Sequence, residues 1–285
     1  MIPMRRSLRG TSWLPVWALL AGCGLVEAQP AAVPRAVTTP HATVELVAAS
    51  TQPSAPPTLG LRFRLQPGWH VYWRNPGDSG GPPTIRWVQL PQGWTAGEFE
   101  WPVPERIPLG PLVNYGYTGD VVLPVAMTAT RAGSSGAPGA ALVADVRWLA
   151  CHDICVPGKA TLGVTWPVAE AERGQIAEWS RLIGEARRRV PPKVPPSWRV
   201  TARADREAFV VSIRGDGRVG RGTFFPIDEG QVNESAPQKV DVVGREARFT
   251  LRRSDLLTTT PKVLRGVVKF DSGPAYEVAA RLTED

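Results

Sequence analysis

Apolar and polar residues alternate along this chain in short runs, and Gly or Pro closes most of them. Leu59, Leu61, Phe63 and Leu65 alternate with Gly60, Arg62 and Arg64. That period of two predicts a half-buried strand. Similar runs predict strands at 42–48, 69–73, 85–90, 121–126, 142–149 and 160–166. Asn75 to Pro83 carries three prolines and three glycines and predicts a loop. Residues 29–41, rich in Pro and Ala, read as a flexible lead, and 132–141 as a spacer. The run 101–117 is different. Its four prolines exclude a helix or a central strand. Yet Ile107, Leu109, Leu112 and Val113 are too apolar for a solvated loop, so an ordered loop lying across another surface is expected.

The period changes between 169 and 190. Ile176, Trp179, Leu182, Ile183, Ala186 and Val190 recur at three- and four-residue steps, which predicts an amphipathic helix. Arg187, Arg188 and Arg189 suit its negative C-terminal pole and read as a solvated helix end. The Pro-rich run 191–196 stops the helix. Alternation then resumes at 209–213, 240–243, 247–251, 267–270 and 276–282. The expected organisation is an exported leader (1–28), a β-sandwich (29–168), a helix and linker (169–196) and a second, smaller β-rich domain (197–285). The fold class is all-β. The second domain holds no Cys and no His, so a supporting or docking role is expected of it.

The leader has Arg5, Arg6 and Arg9 before a short apolar run from Trp13 to Ala21, the pattern of an export signal. Val26-Glu27-Ala28 offers one cleavage site; Leu20-Ala21-Gly22-Cys23 offers a lipobox that would make Cys23 a lipidated first residue. The apolar run is shorter than the ~20 residues of a membrane span. Removing 1–28 takes away three Arg and one Glu, lowering the formal charge from +7 to +5. The remaining excess is spread thinly, and with an export signal this sets nucleic acid aside as a partner. A periplasmic location, soluble or lipid-tethered, is expected.

Export permits disulfides. Cys151 and Cys155 are then the one remaining pair, placed between two predicted strands and so near a hairpin tip. A ring this small contributes little folding entropy, which favours redox work over a staple. His152 and Lys159 favour a thiolate and Asp153 opposes it, so the charges assign no direction. Spacing alone leaves a redox pair and a static staple both open. A soft Cu(I) site completed by His70 or His152 is a third reading; His41 falls in the lead. Seven of eleven Trp and three of four Tyr lie between 69 and 166. They read as sandwich core before a carbohydrate or peptide platform.

The stretches Gly68 to Asp78, Trp101-Pro102 with Pro104-Glu105-Arg106, Asn114 to Tyr117, Leu123-Pro124-Val125 and Cys151 to Gly158 together resemble a family. It is the N-terminal periplasmic domain of DsbD-type thiol–disulfide interchange proteins, in particular its ScsB-like branch. Phe224-Phe225-Pro226 and Ala236-Pro237-Gln238 fit that branch more weakly. The resemblance implies an immunoglobulin-like sandwich with a two-cysteine redox site and no bound cofactor. It implies that Cys155 attacks the partner and Cys151 resolves. It implies that a cap loop at 103–113, with Ile107, Leu109 and Leu112, shields a site lined by Tyr72, Tyr115, Tyr117, His152 and Asp153. The implied partners are a membrane-embedded thiol–disulfide transporter and periplasmic thioredoxin-like proteins. Two departures stand out. The family pattern has five residues between the cysteines and this chain has three. The membrane and thioredoxin domains of full-length members do not follow, so the membrane donor is expected to be a separate polypeptide.

Overall fold

The computed structural model describes Met1 and residues 33–49, 56–129, 139–168 and 170–284. The leader with Cys23 lies outside the described residues. Two β-sheets pack face to face from the first half of the chain. One runs β1 (Ala36–Thr38), β2 (Ala42–Ala49), β3 (Thr58–Leu65), β9 (Asp120–Ala129), β6 (Trp94–Phe99). The other runs β11 (Cys155–Trp166), β10 (Ala140–Cys151), β4 (His70–Gly77), β8 (Leu112–Thr118), β7 (Glu105–Leu109), and β5 (Thr84–Gln89) pairs with β10. All pairings within these two sheets are antiparallel. The inward face alternates as the sequence implies. Leu59, Leu61 and Phe63 of β3, Val71 and Trp73 of β4, and Leu142, Ala144, Val146 and Trp148 of β10 share one apolar core.

Two segments read as irregular are strands. The lead contributes β1, which pairs with β2 through Val37↔Val44. From Glu105 on, the proline run is no loop: residues 105–113 lie within the β7–β8 hairpin, with Ile107 opposite Asn114 and Leu109 opposite Leu112. β7 is an edge strand, so Pro108 removes a backbone donor that no neighbour needs. The predicted loop at 75–83 is shorter than expected, because β4 runs on to Gly77.

After a 3₁₀ turn (Glu170–Gln175), α1 (Ile176–Arg188) lays Trp179, Ile183 and Ala186 into the same core. Arg35 stacks its guanidinium 4.4 Å above the Trp179 ring. The helix end is docked and not simply solvated. Arg187 donates to both Glu100 carboxylate oxygens at 2.8 and 2.9 Å, and to Thr58.

The last third forms one seven-stranded path: β14 (Gly222–Pro226), β17 (Val263–Phe270), β18 (Ala275–Glu284), β12 (Arg199–Ala204), β13 (Ala208–Arg214), β16 (Glu246–Arg252), β15 (Lys239–Val243). Its own core holds Phe209, Phe224, Phe249 and Leu264. Phe225, Ile227 and Val267 turn the other way and join the first core. Phe225 meets Trp73 and Tyr115 edge-on, with ring centroids 6.3 and 5.2 Å away.

Candidate redox site

Cys151 ends β10 and Cys155 begins β11, facing each other in register across a tip of His152, Asp153 and Ile154. Their Cα atoms are 4.1 Å apart and the sulfurs are bonded. Cys151 is also in register with His70 of β4. That pairing puts His70, Tyr72 and both cysteines on the outer face, opposite the core side chains Val71 and Trp73.

Tyr72 is the polar neighbour of the disulfide. Its hydroxyl lies 2.9 Å from Cys151 Sγ and 3.2 Å from Cys155 Sγ. Disulfide sulfurs carry no proton, so the hydroxyl donates. Burial pushes the Tyr72 pKa up, against hydrogen bonding with Ser79 that pulls it down, and the phenol keeps its proton. His70 is 2 % exposed and packs edge-on to Tyr72 at 5.1 Å. Burial, then the charge of His152, lowers its pKa and favours the neutral ring.

The two cysteines differ in exposure. Cys151 is 0 % exposed, whereas Cys155 is exposed beside Ile154, whose exposure is 66 %. The tip is braced from one side. The His152 ring lies over Gly68, 6.0 Å from Trp69, and Trp69 stacks on His41 at 3.8 Å. His41 is thus part of this support and not of a free lead. His152 Nδ1 sits 2.8 Å from Asp153 Oδ2, so the two polar side chains of the tip pair with each other.

The segment seated on the cysteine face is 78–83. Gly80 has φ +90°, and a Cβ there would fall 2.0 Å from Tyr72 Cζ. Ile107, Leu109 and Leu112 belong to the β7–β8 hairpin, and β7 lies two strands from β4. Tyr115 and Tyr117 also fall elsewhere. Gly116 pairs with Tyr72, so its two neighbours point through the sheet into the core. Tyr117 donates to the Pro102 carbonyl at 2.7 Å, and Tyr115 donates to Glu234 at 2.6 Å. Burial pushes both phenols well above their ordinary pKa. Of the seven tyrosine, histidine, aspartate and cysteine residues expected at the site, the fold brings together Cys151, Cys155, Tyr72, His152 and Asp153. It adds Ser79 and Gly80, which no sequence signal marked as lining, and His70, which the copper reading alone had set beside the cysteines.

Among the described residues, no cluster of three His, Cys, Asp or Glu side chains is arranged to hold a metal ion. Every described Trp and Tyr is buried or half-buried, so they form core and not an exposed platform.

The register, the two-cysteine tip and the sandwich together invite comparison with known proteins. Residues 38–165 match the family model described as thiol:disulfide interchange protein DsbD, N-terminal. Over that segment the chain is similar to the DsbD N-terminal domain. Among solved structures, the N-terminal periplasmic domain of ScsB from Proteus mirabilis aligns with a TM-score of 0.67 at 21% identity, covering 88% of this chain and 98% of that one. That alignment extends the shared fold beyond the DsbD N-terminal segment. No curated protein matches the chain. In the described part of the chain, no helix is long and apolar enough to cross a membrane.

Proposed function

We propose that the chain exchanges disulfides in the periplasm through Cys151 and Cys155, relaying electrons between a membrane-embedded dithiol and thioredoxin-like proteins. The observation that carries this reading is the unequal exposure of the two cysteines: Cys155 exposed at the tip, Cys151 buried beneath Tyr72. A partner meets the outer cysteine first.

In the reduced protein, the Cys155 thiolate attacks one sulfur of a partner disulfide. The partner's bond breaks, a mixed disulfide forms, and the leaving thiolate takes up a proton. Cys151 then loses its proton and attacks Cys155 Sγ. The Cys151–Cys155 bond forms and the second partner thiol departs. Two electrons and two protons have moved from this chain to the partner. The membrane-embedded dithiol restores the reduced state by the reverse chemistry. Tyr72 supports both steps, because one hydroxyl within reach of both sulfurs can donate to whichever carries negative charge. The exchange itself needs no bound cofactor.

The test uses the reduced full chain and 5,5′-dithiobis(2-nitrobenzoate). Cys151→Ser should react through Cys155 and hold the aromatic thiol as a stable mixed disulfide, since the neighbouring thiol that would release it is gone. Cys155→Ser should react at least about a hundredfold more slowly through the enclosed Cys151, as access governs thiol reactivity. Equal, slow reaction of both variants, with a reduction potential below about −300 mV, would mark a structural staple and sink the reading.

A further inference from the structure

The second domain meets the core side of the cysteine-bearing sheet at a buried polar node. Glu234, 5 % exposed, comes from the segment between β14 and β15. Its Oε2 accepts from the Tyr115 hydroxyl at 2.6 Å, and its Oε1 accepts from Asn75 Nδ2 at 3.4 Å. Asn75 Nδ2 also donates to the Pro226 carbonyl at 2.8 Å, and Arg106 Nη2 donates to the Glu234 carbonyl at 2.8 Å. Two buried side chains of the first domain thus converge on one carboxylate of the second.

The other end of Asn75 leads toward the cysteines. Its Oδ1 accepts from Gly77 N at 2.9 Å. Asp78 Oδ2 accepts from Val113 N at 2.8 Å, and the Ser79 hydroxyl donates to Asn114 Oδ1 at 3.0 Å. Gly80 then lies against the Tyr72 ring, whose hydroxyl contacts both sulfurs. Every residue from 75 to 80 except Pro76 is fixed by a named contact, with Glu234 at one end and Tyr72 at the other.

We propose that Glu234 is a positioning residue of the Cys151–Cys155 site, acting from the second domain through Asn75 and the 75–80 segment on Tyr72. The proposal rests on the exchange reading above and adds a role for the second domain. A charged carboxylate accepts from Asn75 and Tyr115 together; once protonated, one oxygen carries a hydrogen and accepts poorly. One of the two bonds then weakens, the 75–80 segment loosens, and Tyr72 no longer holds its donor against a Cys155 thiolate. Burial pushes the Glu234 pKa to about 7; the hydrogen bonds from Tyr115 and Asn75 oppose that rise, the charge of Asp78 adds to it and that of Arg106 opposes it. Tyr115 on β8, Asp78 in the β4–β5 loop and Arg106 on β7 are the titratable or charged groups acting on it. The node therefore changes charge in the neutral range.

A plain structural role and a positioning role diverge in Glu234→Gln. The amide removes a buried charge, so stability does not suffer for that reason. It presents one acceptor oxygen for two donors, so the 75–80 segment stays in its loosened state at every pH.

The experiment follows the reaction of the reduced full chain with 5,5′-dithiobis(2-nitrobenzoate) from about pH 5.5 to about pH 9, spanning the carboxyl and the thiol titrations. The wild-type profile should show an inflection near pH 7 besides the thiol titration. Glu234→Gln should lose that inflection and react about fivefold more slowly above it, within the range remote coupled residues exert. Tyr115→Phe keeps the ring against Phe225 but removes a bond that holds the carboxyl pKa down, so its inflection should move to higher pH. A Glu234→Gln profile that superimposes on wild type would overturn the proposal. If that variant does not fold, an unmoved inflection in Tyr115→Phe overturns it instead. Wild-type thiols unreactive at every pH would instead overturn the exchange reading itself.

Discussion

The Tyr72 hydroxyl lies 2.9 Å from Cys151 Sγ, across the boundary between β4 and β10. It is the polar contact that the fold supplies to the enclosed sulfur, and at 3.2 Å it serves the exposed one too. Tyr72→Phe keeps the ring under Gly80 and removes only the donor. A hydrogen bond to a charged group contributes about 1.5–3 kcal/mol. The thiol pKa of Cys155, followed by thiolate absorbance, should therefore rise by about one to two units. The exchange rate at neutral pH should fall by about tenfold or more. An unchanged thiol pKa would remove Tyr72 from the mechanism.

Gly80 is required by two independent facts. Its φ of +90° is strained for any residue with a Cβ. The added carbon would also collide with the Tyr72 ring, which is 0 % exposed and has nowhere to go. Gly80→Ala should cost about 2 kcal/mol or more in urea unfolding. It should also slow thiol exchange, because the 78–83 segment or Tyr72 must move. Loss of stability with an intact exchange rate would separate this segment from the site.

How legible the molecule was depends on parity and on edges. The alternation in Leu59–Leu65 fixes both the strand and its buried face, because β3 is paired on both sides and one face is core. The cysteine tip is equally legible, since two alternating runs flank it. The β7–β8 hairpin was hidden by Pro104, Pro108 and Pro111. Composition cannot say that Pro108 sits on an edge where its missing N–H is harmless. Tyr72 was placed through family resemblance, and Tyr115 and Tyr117 went astray by one residue of register. Gly116, between them, is the partner of Tyr72, so both rings turn to the core. Glu234 gives no signal at all: an isolated acidic residue between polar neighbours looks solvated until Tyr115 and Asn75 close on it.

The ion-pair knot at Arg62 ties α1 to the first sheet. Arg62 donates to both Asp120 oxygens at 3.0 and 2.6 Å and lies 3.3 Å from Glu178 on the helix and 3.7 Å from Glu45. The hydrogen bond to Asp120 raises the Arg62 pKa, and burial opposes it. Arg62→Ala strands Glu45, which is 6 % exposed, although Arg35 still faces it at 3.2 Å. The expected cost is about 2–3 kcal/mol, at or below the low end for breaking a buried pair. Urea unfolding checks it, and a cost within ~0.5 kcal/mol of zero would make this knot a surface ornament.

Glu234 also sets a sign for stability against pH. Its carboxyl pKa rises from 4.5 to about 7 on folding, chiefly through burial. Below pH 4.5 it is protonated in both states, and its contribution to stability is fully present. Between 4.5 and about 7 the unfolded chain releases a proton that the folded chain retains, so stability falls as pH rises. Above about 7 both forms are charged and the loss is complete, at a cost on the order of 3 kcal/mol. Glu234→Gln cannot titrate and should be spared this loss. The stability of wild type minus that of the variant, from urea unfolding at each pH, should therefore drop across this window and stay flat on either side. A carboxylate that weakens the fold at neutral pH, yet whose removal slows the thiols, is held there for the site and not for the fold. A flat difference would mean that solvent reaches Glu234, and the node around it would then be open.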